Sequence, residues 1–165
     1  CDGHGDSTGV TIMAEHRLRV LFLCTGNSAR SQMAEAILRQ MSHGSIDVES
    51  AGSNPEPDIH PMARDALARI GVDVGHQHPK SWNRFLDESF DYVITVCDRP
   101  AERCPVFPGD PVRIHWSLED PAAVAGSSEQ RQRAFDHVAK QLVNRLRIWR
   151  SLPSVSGRAP VALPK

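Results

Sequence analysis

The sequence predicts an α/β fold in which a four-stranded parallel sheet carries helices on both of its faces. Short segments rich in apolar and β-branched residues alternate along the chain with segments of helical periodicity. Strands that alternate with helices form parallel sheets, because each helix returns the chain to start the next strand in the same direction. The length of 165 residues fits one domain with its own core.

The first half of the chain carries two strand patterns and two helix patterns. Residues 18–23 are nearly all apolar, as is typical of a buried parallel strand, and residues 45–50 alternate between apolar and polar. Between them, residues 31–41 place apolar side chains on one helical face. A second helix is predicted to begin at Pro61, whose fixed φ suits a first turn, and to end at Gly71.

The second half carries two more strands and the longest helix. Residues 80–89 favour a short helix or turn, and residues 92–97 form a strongly β-branched third strand. Residues 112–116 are the fourth strand candidate. Residues 127–150 follow with a long apolar stripe at helical spacing, preceded by a possible capping box.

The two ends of the chain differ in composition from its centre. Residues 1–12 are polar and rich in glycine, and the Met13 that follows resembles a natural start, so we expect a disordered remnant there. Residues 13–150 are predicted to form a single catalytic domain. Residues 151–165 carry Pro, Ser and Gly without periodicity and are expected to be a flexible tail.

Composition excludes several classes of protein. The formal net charge is −1, which gives no indication of a nucleic-acid partner or an anionic membrane. No apolar stretch approaches the roughly 20 residues of a membrane helix, and no secretory apolar region is visible. We therefore expect a cytoplasmic protein that acts as a monomer.

One segment between the first strand and the first helix has the composition of an oxyanion cradle. It reads Cys24, Thr25, Gly26, Asn27, Ser28, Ala29, Arg30, Ser31. Backbone N–H groups of such a loop and the following helix N-terminus favour negative charge, which also stabilises a thiolate. The planar guanidinium of Arg30 matches a tetrahedral oxyanion. The alternative interpretation of Cys24 is a small core side chain at the end of a strand.

Further chemical groups follow the carboxyl ends of other strands. Cys97 ends the third strand, and Asp120 follows the fourth. Ligands of parallel sheets bind beyond the carboxyl ends of the strands, so Cys24, Cys97 and Asp120 should converge on one edge. Asp120 could then protonate a leaving oxygen, although Asp-Pro is also a common start of a turn. We interpret His115 and Trp116 as packing residues.

The body of the chain holds three cysteines, an odd number that argues against a structural disulfide framework. Cys97 and Cys104 are seven positions apart, wider than usual for a metal pair, and nothing places His76 or His78 beside them. We expect no metal. Two alternatives stay open: both are inert buried thiols, or a mobile segment between them closes a disulfide.

Polar residues around the cradle suggest a support for it. Asn27, Ser28 and Ser31 are candidates to hold the loop and to hydrogen-bond the thiolate, and Ser31 is also a candidate helix cap. Glu35 lies one turn further along the helix. It is predicted to stabilise the helix N-terminus, to hold Asn27 or to hold a cation.

The chain resembles the arsenate reductases that are built on the low-molecular-weight tyrosine phosphatase fold. The resemblance covers roughly residues 17–150. It is carried by residues 21–36, 50–52, 96–97, 104–105 and 115–122. The cradle alone is shared with phosphatases, whereas the cysteine pair and the His-Trp and Asp-Pro-Ala segment are more specific. The resemblance implies a phosphatase-like fold around the predicted sheet.

The resemblance also implies a reaction sequence without a cofactor. The Cys24 thiolate attacks arsenate held by the loop and Arg30, and Asp120 protonates the departing hydroxyl. Cys97 then attacks Cys24 and arsenite leaves. Cys104 shifts the disulfide to Cys97–Cys104, which thioredoxin reduces. Glutaredoxin or a small thiol is the alternative reductant.

Two departures from the family pattern bear on activity. Some relatives carry a further cysteine at the position of Ala29, and we expect no loss of activity from its absence. Some relatives bind potassium through groups that match Asn27, Ser50 and Glu35 together with an aspartate, whose position falls at or near Lys80. A lysine ammonium there would replace the cation, so we predict activity largely independent of potassium.

Two rival functions remain at the level of sequence. The first is a phosphatase acting on phosphotyrosine or a small phosphoester. Against it, phosphatases of this fold usually have an aromatic residue after Asp-Pro, where this chain has Ala122. The second is a non-enzymatic thiol sensor or arsenic-binding module, which a helix-turn-helix or a basic surface would favour; neither is evident.

Overall fold

The computed structural model describes residues 17–97 and 104–156. Four strands are present in this part of the chain: β1 Arg19–Cys24, β2 Asp47–Gly52, β3 Tyr92–Thr95 and β4 Val112–His115. The helices are α1 Arg30–Met41, α2 Pro61–Arg69, α3 Ser128–Ser151 and α4 Pro153–Ser156, with short 3₁₀ helices at Trp82–Phe85 and Pro121–Ala123. None of the helices in these ranges combines the length and apolar character that a membrane crossing requires.

The four strands form one parallel sheet with the order β2-β1-β3-β4. The predicted four-stranded parallel sheet is therefore confirmed. Strand β1 lies in the centre, with Cys24 paired to Gly52 on one side and Leu23 paired to Thr95 on the other. All four carboxyl ends meet at one edge of the sheet, and the segments that follow them are brought together there.

One face of the sheet is covered by the three long helices. Alternate β1 residues, Val20 and Phe22, pack in the same cluster as the apolar sides of α1, α2 and α3. The predicted stripe of α3 is fully buried in it: Phe135, Val138, Leu142, Leu146 and Trp149. The predicted capping box also forms, since Ser127 Oγ accepts from the Gln130 N–H and the Gln130 side chain accepts from the Ser127 N–H.

The opposite face is covered by a 3₁₀ helix and by loops. Leu21 and Leu23 of β1 point into this second cluster, where Phe85, Phe90 and Phe107 pack edge to face at 5.8 Å. Helices therefore lie on both faces, as predicted. One face carries three α-helices, and the other carries the short 3₁₀ helix Trp82–Phe85. Two of the phenylalanines come from loops.

The C-terminal boundary differs from the expectation. Helix α3 continues to Ser151 and α4 follows at Pro153–Ser156, so regular structure extends beyond the expected domain end at residue 150. Packing explains the difference, because Val155 contacts the helix-covered cluster and Tyr92 Oη donates to Ser154 Oγ at 3.3 Å. The predictions for residues 1–12 and 157–165 lie outside the described residues.

Candidate active site

The eight-residue segment forms a loop from the end of β1 to the start of α1 and lines a cavity of about 590 Å³. The cavity brings together Cys24, Cys97 and Asp120, together with the guanidinium-bearing Arg30. The topology explains why these residues meet at the carboxyl edge of the sheet. Cys24 ends β1, Cys97 follows β3, Asp120 follows β4, and Arg30 begins α1. The other lining residues are Leu23, Thr25, Gly26, Asn27, Ser28, Ala29, Ser53, Asn54, Glu56, Trp82, Thr95, Ala122 and Ala123.

The sulfur of Cys24 lies among hydrogen-bonding groups. Its Sγ shares a hydrogen bond with Ser31 Oγ at 2.8 Å, and the Asn27 N–H donates to it at 3.2 Å. These contacts tie the sulfur to the loop and to the first turn of α1. The cap role considered for Ser31 does not occur: the residue before α1 is Ala29, which makes no side-chain cap, and Ser31 is turned to the sulfur instead.

Asn27 is the centre of the loop's support. Its side chain is fully buried, and its Nδ2 donates to Ser31 Oγ at 2.8 Å and to Ser50 Oγ at 2.9 Å. Its Oδ1 accepts from Gln32 Nε2 at 3.0 Å and from the Lys80 N–H at 2.9 Å. A fully satisfied buried amide rigidifies its surroundings. It also holds Asn27 at a φ of 49°, a left-handed conformation that asparagine tolerates.

Three backbone carbonyl groups of the loop accept hydrogen bonds from the segment after β2. Backbone N–H groups of Asn54, Glu56 and His60 donate to the carbonyls of Thr25, Gly26 and Ser28 at 2.8–2.9 Å. These three bonds fix the loop against the segment after β2. The approach is close at Gly52, where an added Cβ would lie 2.4 Å from the Thr25 carbonyl oxygen.

His60 connects the same segment to helix α2. Its Nδ1 accepts from the Met62 N–H at 3.1 Å and so caps the helix, while its ring stacks on Phe135 at 4.5 Å. Burial lowers the pKa of His60, the nearby Arg131 lowers it further, and Asp120 opposes them. The neutral ring is the form that the cap requires.

The predicted supporting residues Glu35, Ser50 and Lys80 lie together beneath the loop. Glu35 Oε1 accepts from Ser50 Oγ at 3.0 Å and lies 3.3 Å from Lys80 Nζ. The same ammonium is 3.4 Å from Glu49 Oε2, and Arg39 Nη2 is 3.1 Å from Glu35 Oε2. The Glu35 and Lys80 side chains are only 1% and 7% exposed. The cluster is therefore a nearly buried ion pair.

This cluster does not fit a bound potassium ion. Asn27 Oδ1 and Glu35 Oε1 already accept hydrogen bonds, and the Lys80 ammonium lies within ion-pair distance of Glu35 and Glu49. Glu35 Oε2 accepts no hydrogen bond, but the Arg39 guanidinium lies 3.1 Å from it. A second cation would be repelled there. Elsewhere in residues 17–97 and 104–156, no cluster of three or more His, Cys, Asp or Glu side chains has a metal-binding arrangement.

The two charged groups predicted to handle substrate are held by the loop after β4. Arg30 Nη1 donates to the Leu118 carbonyl at 2.9 Å, which fixes the guanidinium at the cavity. Asp120 Oδ1 accepts from the Ala122 N–H at 3.0 Å and caps the 3₁₀ helix that Pro121 begins. Asp120 therefore starts a turn and lines the cavity at the same time.

Cys24, Cys97 and Cys104 fall into two groups, which lie on opposite sides of the sheet. Cys24 and the half-buried Cys97 pack in the helix-covered cluster and line the cavity. Cys104 is half-buried against the second cluster, on the opposite face, and does not line the cavity. Residues 98–103, which connect Cys97 to Cys104, lie outside the described residues.

Thr95 and His115 form a contact that the sequence interpretation missed. Thr95 lines the cavity, and its Oγ1 shares a 2.6 Å hydrogen bond with Nδ1 of His115. The interpretation of His115 as a packing residue is wrong, because its side chain is exposed and hydrogen-bonded; Trp116 does pack, 6.4 Å from the Phe22 ring. The register of β3 with β4 pairs Thr95 with His115, and aligning the two strands in the sequence could have found this contact.

Comparisons with known proteins agree with this geometry. Residues 19–152 match the family of low molecular weight phosphotyrosine protein phosphatases. An arsenate reductase of Halalkalibacterium halodurans is 35% identical over 130 residues, which are 79% of this chain and 93% of that protein.

Two solved structures extend the likeness to the fold. An arsenate reductase in a phosphate-binding state superposes with a TM-score of 0.70 at 27% identity, covering 86% of this chain and 99% of that one. A thioredoxin-dependent arsenate reductase of Corynebacterium glutamicum gives a TM-score of 0.59 at 29% identity, covering 82% and 65%.

Proposed function

The chain belongs to the low molecular weight phosphotyrosine protein phosphatase family, in its arsenate reductase group, and from that premise we propose that it reduces arsenate to arsenite through Cys24, Cys97 and Cys104. The observation that carries the proposal is the shared cavity of Cys24 and Cys97 beside Arg30 and Asp120. A hydrolytic phosphatase needs the first cysteine, whereas a reductase also needs a thiol that can attack it.

The first step is the attack of the Cys24 thiolate on arsenate. The loop N–H groups and the Arg30 guanidinium bind the oxyanion, and the contacts of the sulfur with Ser31 Oγ and the Asn27 N–H hold it at the end of β1. A sulfur–arsenic bond forms while one hydroxyl leaves as water. Asp120, at the cavity wall, supplies the proton for that water.

The second step transfers two electrons to arsenic. The sulfur of Cys97 attacks Cys24 Sγ, so that a disulfide forms and the sulfur–arsenic bond breaks. The electron pair of that bond stays on arsenic, which leaves as arsenite. The step requires Cys97 to reach the bottom of the cavity whose wall it already lines.

The third step restores Cys24. Cys104 attacks Cys97, a Cys97–Cys104 disulfide forms and the Cys24 thiolate leaves. Because Cys104 packs on the opposite face of the sheet, it has to leave the second cluster for this step. Thioredoxin then reduces the new disulfide in the cytoplasm. The thioredoxin dependence of the Corynebacterium glutamicum relative supports this choice of reductant.

The test is arsenate-dependent oxidation of NADPH in the presence of thioredoxin and thioredoxin reductase. We expect many turnovers from the unmodified protein and none beyond the first from Cys104→Ser. Replacing thioredoxin by glutaredoxin or by a small thiol identifies the reductant. Unchanged turnover of Cys104→Ser would contradict the relay.

Phosphoester hydrolysis is the second candidate, and one observation favours it. The cradle, Arg30 and Asp120 are complete without Cys97, so an aryl phosphate meets a nucleophile and an acid in the same cavity. Hydrolysis that survives in Cys97→Ser, with arsenate reduction absent from the unmodified protein, would make the chain a phosphatase instead.

A further inference from the structure

Thr95 and His115 join the cavity to the protein surface. Thr95 is 8% exposed and lines the cavity two residues before Cys97. Its partner His115 lies on the neighbouring strand β4 with an exposed side chain. The 2.6 Å between Thr95 Oγ1 and His115 Nδ1 is short for a hydrogen bond between oxygen and nitrogen.

The chemistry of this pair suits the passage of a proton. When the Thr95 hydroxyl donates to a neutral His115, the threonine oxygen keeps lone pairs that can accept a hydrogen bond from a second donor. When His115 is protonated, the direction reverses and Nδ1–H donates to Thr95. The threonine hydroxyl can then donate to another acceptor, either the Ile114 carbonyl, which lies 3.5 Å away, or a thiolate in the cavity. The histidine is exposed, so its other ring nitrogen can exchange a proton with water.

The proposed reaction has a need that this pair meets. The Cys97 thiol must lose its proton as it attacks Cys24, because the thiolate is the nucleophile in disulfide formation. Besides the two thiols, the titratable groups on the cavity wall are Glu56, Arg30 and Asp120. Asp120 acts as the acid in the first step, and a guanidinium does not accept protons. The exposed Glu56 is the competing acceptor, and on the present proposal Glu56→Gln leaves the Cys97 rates unchanged.

We propose that His115, acting through the Thr95 hydroxyl, takes the proton of the Cys97 thiol and holds the resulting thiolate. The proton of Cys97 passes to Thr95 Oγ1 as the threonine proton passes to His115 Nδ1. The thiolate then accepts a hydrogen bond from Thr95, which accepts one from the imidazolium. Cys97 attacks Cys24 as described, and the imidazolium returns its proton to water. The pair is a positioning device for Cys97, and its catalytic use depends on the proposed function.

Two rates test the pair in the full-length reduced protein. The first is alkylation of Cys97 by iodoacetamide without arsenate, which reports the thiolate and does not require arsenate reduction. Trypsin cleaves between Arg103 and Cys104, so mass spectrometry separates Cys97 from Cys104, and Cys24 serves as the internal reference. The second is formation of the Cys24–Cys97 disulfide in a single turnover with arsenate.

The variants are chosen to separate proton handling from packing. Thr95→Val removes the hydroxyl at nearly constant volume, and Thr95→Ser returns it. Loss of a hydrogen bond to a charged group predicts a fall of about tenfold in both Cys97 rates for Thr95→Val, with recovery in Thr95→Ser. His115→Ala should show a similar fall that added imidazole reverses, while His137→Ala, an exposed histidine on α3, changes neither rate.

The measurements test the proposal even if one of the variants does not fold. A change below twofold in Thr95→Val, an equal loss at Cys24 and Cys97, or a His115→Ala defect that imidazole leaves untouched would each overturn it. If Thr95→Val does not fold, the imidazole arm decides. If the unmodified protein does not reduce arsenate but the alkylation rates of Cys97 still differ between the variants as predicted, the proposed function is wrong and the proposal for Thr95 and His115 is supported.

Discussion

Replacing Lys80 by methionine should destabilise the protein through the loss of a buried charge, with little change in packing. The substitution removes the ammonium that lies 3.3 Å from Glu35 and 3.4 Å from Glu49, and it keeps an aliphatic chain of similar length. Removing one partner of a buried ion pair costs about 3–5 kcal/mol, because the other charge stays buried. We expect the lower end, about 3 kcal/mol, since Arg39 and Ser50 still contact Glu35.

The assay is urea unfolding of the full chain, followed by tryptophan fluorescence and repeated in sodium and potassium salts of equal concentration. A loss of about 3 kcal/mol lowers the urea midpoint by about 1.5 M when the m-value is about 2 kcal/mol/M. Lys140→Met, an exposed lysine on α3, is the matched control and should change the free energy of unfolding by less than about 0.5 kcal/mol.

The same reasoning predicts that potassium does not matter to the unmodified protein. Because the Lys80 ammonium already lies between the Glu35 and Glu49 carboxylates, initial rates of arsenate reduction should agree within about twofold between sodium and potassium salts. A several-fold gain with potassium, or a cost of Lys80→Met no larger than that of the control, would refute the account of this cluster.

Three further predictions concern the acid, the helix cap and the loop. Asp120→Asn should lower the arsenate reduction rate about 100-fold, measured by single turnover, with alkylation of the nucleophilic cysteine unchanged. Burial lowers the pKa of His60 below its usual value of 6.5 in the folded protein. As the pH falls through 6.5, the unfolded chain therefore takes up the His60 proton before the folded protein does, and the free energy of unfolding decreases. The decrease stops once the pH is below the pKa of His60 in the folded protein. His60→Asn, which keeps a cap, should flatten that decline in urea titrations from pH 7 to 5; an unaltered profile would exclude His60 as its source. Gly52→Ala places a Cβ 2.4 Å from the Thr25 carbonyl oxygen and should cost about 2 kcal/mol. Gly26→Ala should cost less, because its Cβ would meet the flexible Glu56 side chain at 3.2 Å and Ser28 Oγ at 3.5 Å; equal costs in thermal unfolding would contradict this contact.

Local patterns in the sequence were sufficient for the sheet and for the residues of the cradle. Strand and helix periodicities are short-range properties, and the alternation of the two restricts the topology to a parallel sheet. That topology alone brings Cys24, Cys97 and Asp120 to one edge, which the structure shows. Boundaries moved by one or two residues, as at β3, which ends at Thr95.

The features that the sequence did not reveal depend on contacts between distant segments. The hydrogen bonds of Asn27 join it to Gln32 and to Lys80, 53 positions away, and no periodicity encodes that distance. The second face of the sheet is covered by phenylalanines in loops, which have no pattern to mark them as buried. Residues 153–156 form a helix that contacts the core through Val155 and Ser154, and these contacts to distant residues leave no pattern in the local sequence.

The central claim is that Cys24, Cys97 and Cys104, which lie on two sides of the sheet, form a relay of disulfides. The most direct measurement is a disulfide map, by mass spectrometry, of reduced protein after one arsenate turnover with no other reductant present. We predict a Cys97–Cys104 disulfide in the unmodified protein and a Cys24–Cys97 disulfide in Cys104→Ser, each with one equivalent of arsenite. Arsenite formed without either disulfide, or protein that stays fully reduced while arsenate persists, would contradict the three-cysteine relay.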